Sequence, residues 1–182
     1  MLFVSGRCEE LHPRHMEDVG RYRHKVFIDH LGWPLHSSNG IELDEFDGGE
    51  AIYISSYDEN NQINGVARLL PTTVPYLLEK VFPALWESAE FPHDVKIWEL
   101  SRFAAMDFIS DTSFPHQASA KHASKFFRQV VEVAKKLGVC SLITVSPIGM
   151  ERLLRLNGFE SIRTGSPAVY GGRLIVSLLI HC

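Results

Sequence analysis

The run Ile97-Trp98-Glu99-Leu100-Ser101-Arg102-Phe103 puts a carboxylate and a guanidinium inside an otherwise apolar, strand-like stretch. Such strands are usually buried, and ionised side chains are rarely buried without a partner or a task. A core that needed only stability would carry Val, Ile or Leu at these positions. Arg68 repeats the pattern in Val66-Ala67-Arg68-Leu69-Leu70, and the loop Glu42-Leu43-Asp44-Glu45-Phe46-Asp47 is crowded with carboxylates. Together these stretches predict a polar cleft held by a sheet.

The 182 residues suit one domain spanning 1–182, long enough to bury most of its unfolded surface. A net charge of −4 argues against a nucleic-acid binder, which usually carries a basic excess. The first seven residues have no basic start followed by an apolar stretch, and no apolar run reaches the roughly 20 residues of a membrane span. The expected location is the cytoplasm. Cys8, Cys140 and Cys182 are odd in number and widely spaced, which fits a reducing compartment and excludes a cysteine zinc knuckle. Cys140, in Val139-Cys140-Ser141-Leu142-Ile143, reads as a small hydrophobe rather than a nucleophile. The nine histidines show no metal-ligand spacing and read as solvated surface groups, so no metal is expected.

Hydrophobic spacing predicts helices over 13–27, 76–82, 119–137 and 149–156. Strands are expected over 51–57, 63–70, 96–104, 139–145 and 173–180, the first two joined as a hairpin through Asp58-Glu59-Asn60-Asn61-Gln62. Hairpin strands first and helix–strand alternation later give an α/β (α+β) three-layer sandwich, a mixed sheet with helices on both faces. That order resembles the GNAT acyltransferase architecture, in which splayed central strands open a V-shaped cleft.

The acidic loop is either a solvated charge run or a cationic-ligand site, since Leu43, Phe46, Trp33 and Phe27 lie among or just before its carboxylates. Arg68 is either an edge arginine covering apolar surface or a bridge to that loop. Glu99 and Arg102 are a structural ion pair or a functional one; paired charges in a sheet stabilise little compared with apolar packing, which favours function. Lys121, Lys125 and Arg128 recur at i, i+4, i+7 on one helix face, and Arg152 and Arg155 follow on the next helix. In an acidic protein such a stripe is either a solvated face or a dock for an acidic partner. The segment Met106-Asp107-Phe108-Ile109-Ser110-Asp111-Thr112-Ser113-Phe114-Pro115 contains no glycine, unlike the loop that cradles a coenzyme A pyrophosphate. A carrier-bound acyl group fits it better than free acyl-CoA.

Six ordered motifs resemble the autoinducer synthases, the acyl-homoserine lactone synthase family. They are Arg23-His24-Lys25-Val26-Phe27, Trp33, Glu42-Leu43-Asp44-Glu45-Phe46-Asp47, Arg68-Leu69-Leu70-Pro71-Thr72, Phe82 and Trp98-Glu99-Leu100-Ser101-Arg102-Phe103. The resemblance implies an acyltransferase of quorum sensing that needs no cofactor and uses two substrates, S-adenosylmethionine and acyl-acyl carrier protein. Glu99 is its first candidate base and Asp47 the second, with Arg102 beside them. Arg23, Asp44, Arg68 and Ser101 would bind substrate, and Phe27, Trp33, Phe82 and Phe103 would wall the adenosine. Thr144 would sit in the acyl tunnel, and family members with Thr there tend to make lactones substituted at the third carbon. Lys121, Lys125, Arg128, Arg152 and Arg155 would bind the carrier protein. A monomer is expected, with neither nucleic acid nor membrane as partner. An N-acyltransferase for another amine and a non-catalytic acyl-carrier or ligand-sensing module are the other readings. A β-bulge between Leu100 and Phe103 is required if Glu99 and Arg102 are to face one cleft, because side chains alternate along a strand.

Overall fold

The computed structural model describes residues 2–88, 90–108, 116–117 and 120–182. Most of the glycine-free segment, residues 109–115, and the expected helix start at Ser119 lie outside the described residues. Two compact units emerge, each made of two stretches of chain. The first comprises residues 1–68 and 102–130, the second residues 69–101 and 131–182.

In the first unit, β1 (Leu2–Arg7) pairs antiparallel with β2 (Ile52–Tyr57), from Leu2↔Tyr57 to Arg7↔Ile52. The opening strand β1 is an addition to the expected elements. Its six residues carry no sustained apolar alternation. Helix α1 (Pro13–Arg23) starts where His12 accepts the Arg14 N–H and where Pro13 needs no hydrogen-bond partner. It does not end at Phe27. The chain widens into a π-helical segment, His24–His30, with Leu31 N–H bonded to Val26 C=O. The extra residue per turn carries the helix past the limit that 3.6-residue spacing sets, and it buries the adjacent pair Val26 and Phe27.

The hairpin continues into β3 (Ile63–Pro71). After α2 (Leu77–Val81) in the second unit comes β4 (Ile97–Asp107), which runs from the second unit into the first. β5 (His116–Gln117) pairs with the end of β4, and α3 (Ala120–Lys136) presses Phe126, Phe127 and Val130 into the core of the first unit.

In the second unit, β4 runs parallel to β6 (Ser141–Pro147) from Ile97↔Ser141 to Glu99↔Ile143. α4 (Gly149–Leu156) matches the expected limits. The short strands β7 (Ser161–Arg163) and β8 (Ala168–Tyr170) are further additions, and both pair antiparallel with β9 (Arg173–His181). β6 and β9 form the longest ladder of this unit, Ser141↔His181 to Pro147↔Ile175. Leu100, Leu142, Leu154, Val176 and Ile180 make its core. The fold is mixed α/β with an open mixed sheet, as the element order requires.

Two surface expectations are corrected. Cys140 is exposed, because β6 begins one residue later, at Ser141. His15 and His122 are buried rather than solvated, with the His15 ring between the Tyr57 and Ser55 hydroxyls and His122 Nε2 on the Asn64 carbonyl. Among the described residues no helix is long and apolar enough to cross a membrane.

Candidate active site

Gly20 brings the acidic loop against α1. A Cβ there would lie 2.5 Å from Ile41 Cγ2, and the Gly20 carbonyl accepts the Glu42 N–H at 3.0 Å. This close approach sets Glu42 beside Arg23, the last residue of α1. Arg23 Nε donates to Glu42 Oε2 at 2.6 Å, and its two terminal nitrogens donate to the Asp47 carboxylate at 2.8 and 3.0 Å. Arg68, fully buried on β3, donates to both oxygens of Asp44 and lies 3.0 Å from Asp47 Oδ1. Arg102 donates from Nε and one terminal nitrogen to Glu42, and that terminal nitrogen also lies 2.7 Å from Asp44 Oδ2.

The first unit thus holds three guanidinium groups against three carboxylates. Formal charges cancel, so the cluster is neutral while remaining highly polar. Each group has partners of opposite sign, which is the condition for leaving six ionised side chains so little hydrated. Asp44 is the most open of the carboxylates, its side chain 18% exposed against 7% for Asp47 and 1% for Glu42. A ligand arriving from solvent meets Asp44 first.

Burial raises the Asp47 carboxyl, but Arg23 and Arg68 outweigh it and hold the group well below the ordinary carboxylate range. Glu42 is lowered in the same way, burial opposing it while Arg23 and then Arg102 prevail. Strongly stabilised carboxylates bind cations well and accept protons poorly.

Arg102 adopts φ 52°, the left-handed region, within a strand. A long side chain seldom does so, and such departures gather where function imposes them. The strand irregularity therefore falls inside the expected interval between Leu100 and Phe103. The two charged neighbours take different partners, Arg102 binding Glu42 and Asp44. Glu99, fully buried, accepts the Leu77 N–H at 2.9 Å and the Leu78 N–H at 2.7 Å, one on each oxygen. It anchors the start of α2, whose own N-cap, Tyr76, offers no side-chain cap.

Around the cluster, the Phe27 ring lies 5.6 Å from the Arg102 guanidinium and 5.4 Å from the Trp33 ring. Phe46 faces Arg68. Phe103 stacks on Phe126 and meets Phe127 edge-on, at the seam between β4 and α3. Phe82, in the second unit, packs edge-on against Tyr170. Thr144 is buried on β6 with its hydroxyl 2.9 Å from that of Ser146, and Ser101 is buried on β4. Lys121, Lys125 and Arg128 are exposed on α3, and Arg152 and Arg155 on α4.

Two contributors are absent from the expected site residues. Glu42 joins Arg23 to Arg102, although its place in the acidic run gave it no distinction from its neighbours. Tyr53 donates its hydroxyl to Asp47 at 3.0 Å and accepts the Gly48 N–H at 2.7 Å, fixing the loop. The alternation of residues 51–57 puts Tyr53 and Ser55 on one face, but nothing in that pattern names Asp47 as its partner. Among the described residues no group of three or more His, Cys, Asp or Glu side chains could hold a metal.

The sequence model of the family described as autoinducer synthase matches residues 8–182. The chain belongs to the autoinducer synthase family. It is 42% identical over 160 residues to the acyl-homoserine-lactone synthase of Acinetobacter nosocomialis, covering 87% of each chain. The structure of TofI in a ternary complex with an inhibitor and MTA superimposes with a TM-score of 0.86 at 36% identity, over all of this chain and 91% of that one. BjaI, a CoA-dependent acyl-homoserine lactone synthase with SAM and isopentyl-CoA, gives a TM-score of 0.83 at 23% identity over 98% and 81% of the two chains. That likeness speaks for the fold, as does an acyl-CoA N-acyltransferase from Pseudomonas aeruginosa with a TM-score of 0.64 at 10% identity over 98% and 97%. Membership makes the chain an acyltransferase of autoinducer synthesis, an acyl-homoserine-lactone synthase.

Proposed function

We propose that the chain transfers an acyl group from acyl-acyl carrier protein to the α-amine of S-adenosylmethionine and then closes the lactone. The amine nitrogen attacks the thioester carbon, a C–N bond forms, the C–S bond breaks, and the carrier leaves as its thiol. The methionine carboxylate then attacks its own γ-carbon and expels methylthioadenosine, whose sulfur takes the electron pair of the broken bond.

The observation that carries this reading is the neutral cluster of Arg23, Arg68 and Arg102 with Glu42, Asp44 and Asp47 at the family's motif positions. S-adenosylmethionine brings a sulfonium, an ammonium and a carboxylate. Asp44, the most open carboxylate, and Asp47 receive the cations, and Arg23 and Arg102 order the carboxylate. Phe27 and Trp33, packed together beside the cluster, wall the adenosine, a group that the related TofI binds as part of MTA. Phe103 acts from behind, through its packing on α3.

The amine must lose a proton before it attacks. Arg23 and Arg68 commit Asp47 to its anionic form, and Glu99, at the family's motif position, is the base, acting through a water while α2 holds it in place. Backbone N–H groups near Ser101 and Arg102, where the strand departs from regular geometry, receive the developing oxyanion. The glycine-free segment supports a carrier-bound acyl group, which the exposed cations of α3 and α4 meet. Thr144 lines the acyl tunnel, and the product carries an oxygen at its third carbon.

Incubation with S-adenosylmethionine and matched acyl-carrier or acyl-CoA thioesters tests the reading. Methylthioadenosine and lactone should appear in equal amounts with the carrier thioester. A faster reaction with acyl-CoA would overturn the choice of donor, and absence of methylthioadenosine with either would overturn the reaction.

A further inference from the structure

In the ladder between β6 and β9, Ser141 stands opposite His181, so the next residues outward, Cys140 and Cys182, stand opposite each other. The Cys182 N–H donates to the Cys140 carbonyl at 3.0 Å, which extends the ladder by that step. Residues directly opposite in an antiparallel pair project to the same face, with Cα atoms about 4.5–5.5 Å apart. A disulfide accepts Cα separations of about 4.4–6.8 Å. Side chains do meet across this ladder, since in the neighbouring pair Ser141 Oγ lies 3.3 Å from His181 Nδ1.

Both cysteines are free, and they differ in setting. Cys140 is exposed, whereas Cys182 is half-buried. Burial pushes the Cys182 thiol up to about 11, and the Cys140 thiol is near enough to raise it further, against the opposing charge of Lys135. Each cysteine lies one residue outside its strand.

We propose that Cys140 and Cys182 are a redox-active pair, closing to a reversible intramolecular disulfide when the protein meets a hydroperoxide. The exposed Cys140 sulfur attacks the peroxide oxygen, becoming a sulfenic acid as the peroxide is reduced to its alcohol or water. The Cys182 sulfur then attacks that sulfur, forming the S–S bond and releasing water. The two thiols are oxidised by two electrons, which the O–O bond takes up. A dithiol reductant reverses the step. The link ties the start of β6 to the end of β9, whatever substrates the enzyme uses.

The test treats the purified, reduced protein with hydrogen peroxide in slight excess and reads the intact mass and the tryptic peptides. The expected product has lost two hydrogens, joins the peptides of Cys140 and Cys182, and reverts with dithiothreitol. Cys8→Ser should leave this unchanged, while Cys140→Ser or Cys182→Ser should abolish the link. A stable sulfinic acid on Cys140, a disulfide-linked dimer, or a link through Cys8 as the main product would overturn the proposal.

Discussion

Glu42 Oε2 accepts the Arg23 Nε–H at 2.6 Å, and both side chains are 1% exposed. The same carboxylate accepts from Arg102, so one buried group fixes two arginines that the chain separates by 79 residues. Breaking a buried pair from one side costs about 3–5 kcal/mol, because the remaining charge stays buried. Glu42→Gln should therefore lower the unfolding free energy by about 3 kcal/mol. Turnover should fall even where the protein is fully folded. Chemical denaturation and steady-state kinetics measure both, and a variant within about 0.5 kcal/mol of the parent would contradict the role.

Glu99→Gln should reduce turnover by about 10²- to 10⁴-fold if Glu99 is the base. The amide cannot accept the proton, and its NH2 must also face one of the two backbone N–H groups of α2. The substitution is thus not neutral for folding. The pH–rate profile separates the two effects, since loss of the base removes its acidic limb, whereas a loosened α2 lowers the rate at every pH.

Acid should destabilise the protein in two stages. His15 is held below its ordinary 6.5, because burial outweighs the raising effect of Asp18. A depressed histidine stabilises the fold above its unfolded value, so this contribution fades as pH falls below 6.5. Glu42 and Asp47 are depressed from ordinary values of 4.5 and 3.8, and their contribution holds above those values and is lost as pH falls further. Denaturation midpoints measured from pH 8 to 3 should show a shallow decline and then a steep one. His15→Phe should flatten only the first.

Reversing Arg152 and Arg155 to glutamate should raise the Michaelis constant for the acyl-carrier substrate severalfold and leave that for S-adenosylmethionine nearly unchanged. Both are exposed, so the effect should shrink as salt rises. Equal damage to both constants would refute a docking role.

Thr144→Val should shift the products toward acyl chains unsubstituted at the third carbon, read by mass spectrometry of the extracted lactones. The substitution also removes the partner of the Ser146 hydroxyl, so Ser146→Ala serves as the control. An unchanged product ratio with Thr144→Val would remove Thr144 from the tunnel.

The main helices and strands and the polar strand positions follow from sequence alone, because local spacing and the incompatibility of charge with an apolar strand act within a few residues, whereas β1, β7 and β8 carry no such pattern. Arg68 and Arg102 stand out on those grounds, Asp44 and Asp47 only as members of an acidic run, and Arg23 only through the family motif. Tertiary structure decided which charge meets which. The close approach at Gly20 delivers Glu42 to Arg23 and Arg102, and the start of α2 takes Glu99. It also widened α1 into a π-helical turn, set Phe103 against Phe126 and Phe127 of α3, and put Cys140 opposite Cys182. The placements of Glu42, Glu99 and Cys140 depend on groups far apart in sequence coming within hydrogen-bond reach, and that is a property of the folded chain rather than of any local pattern.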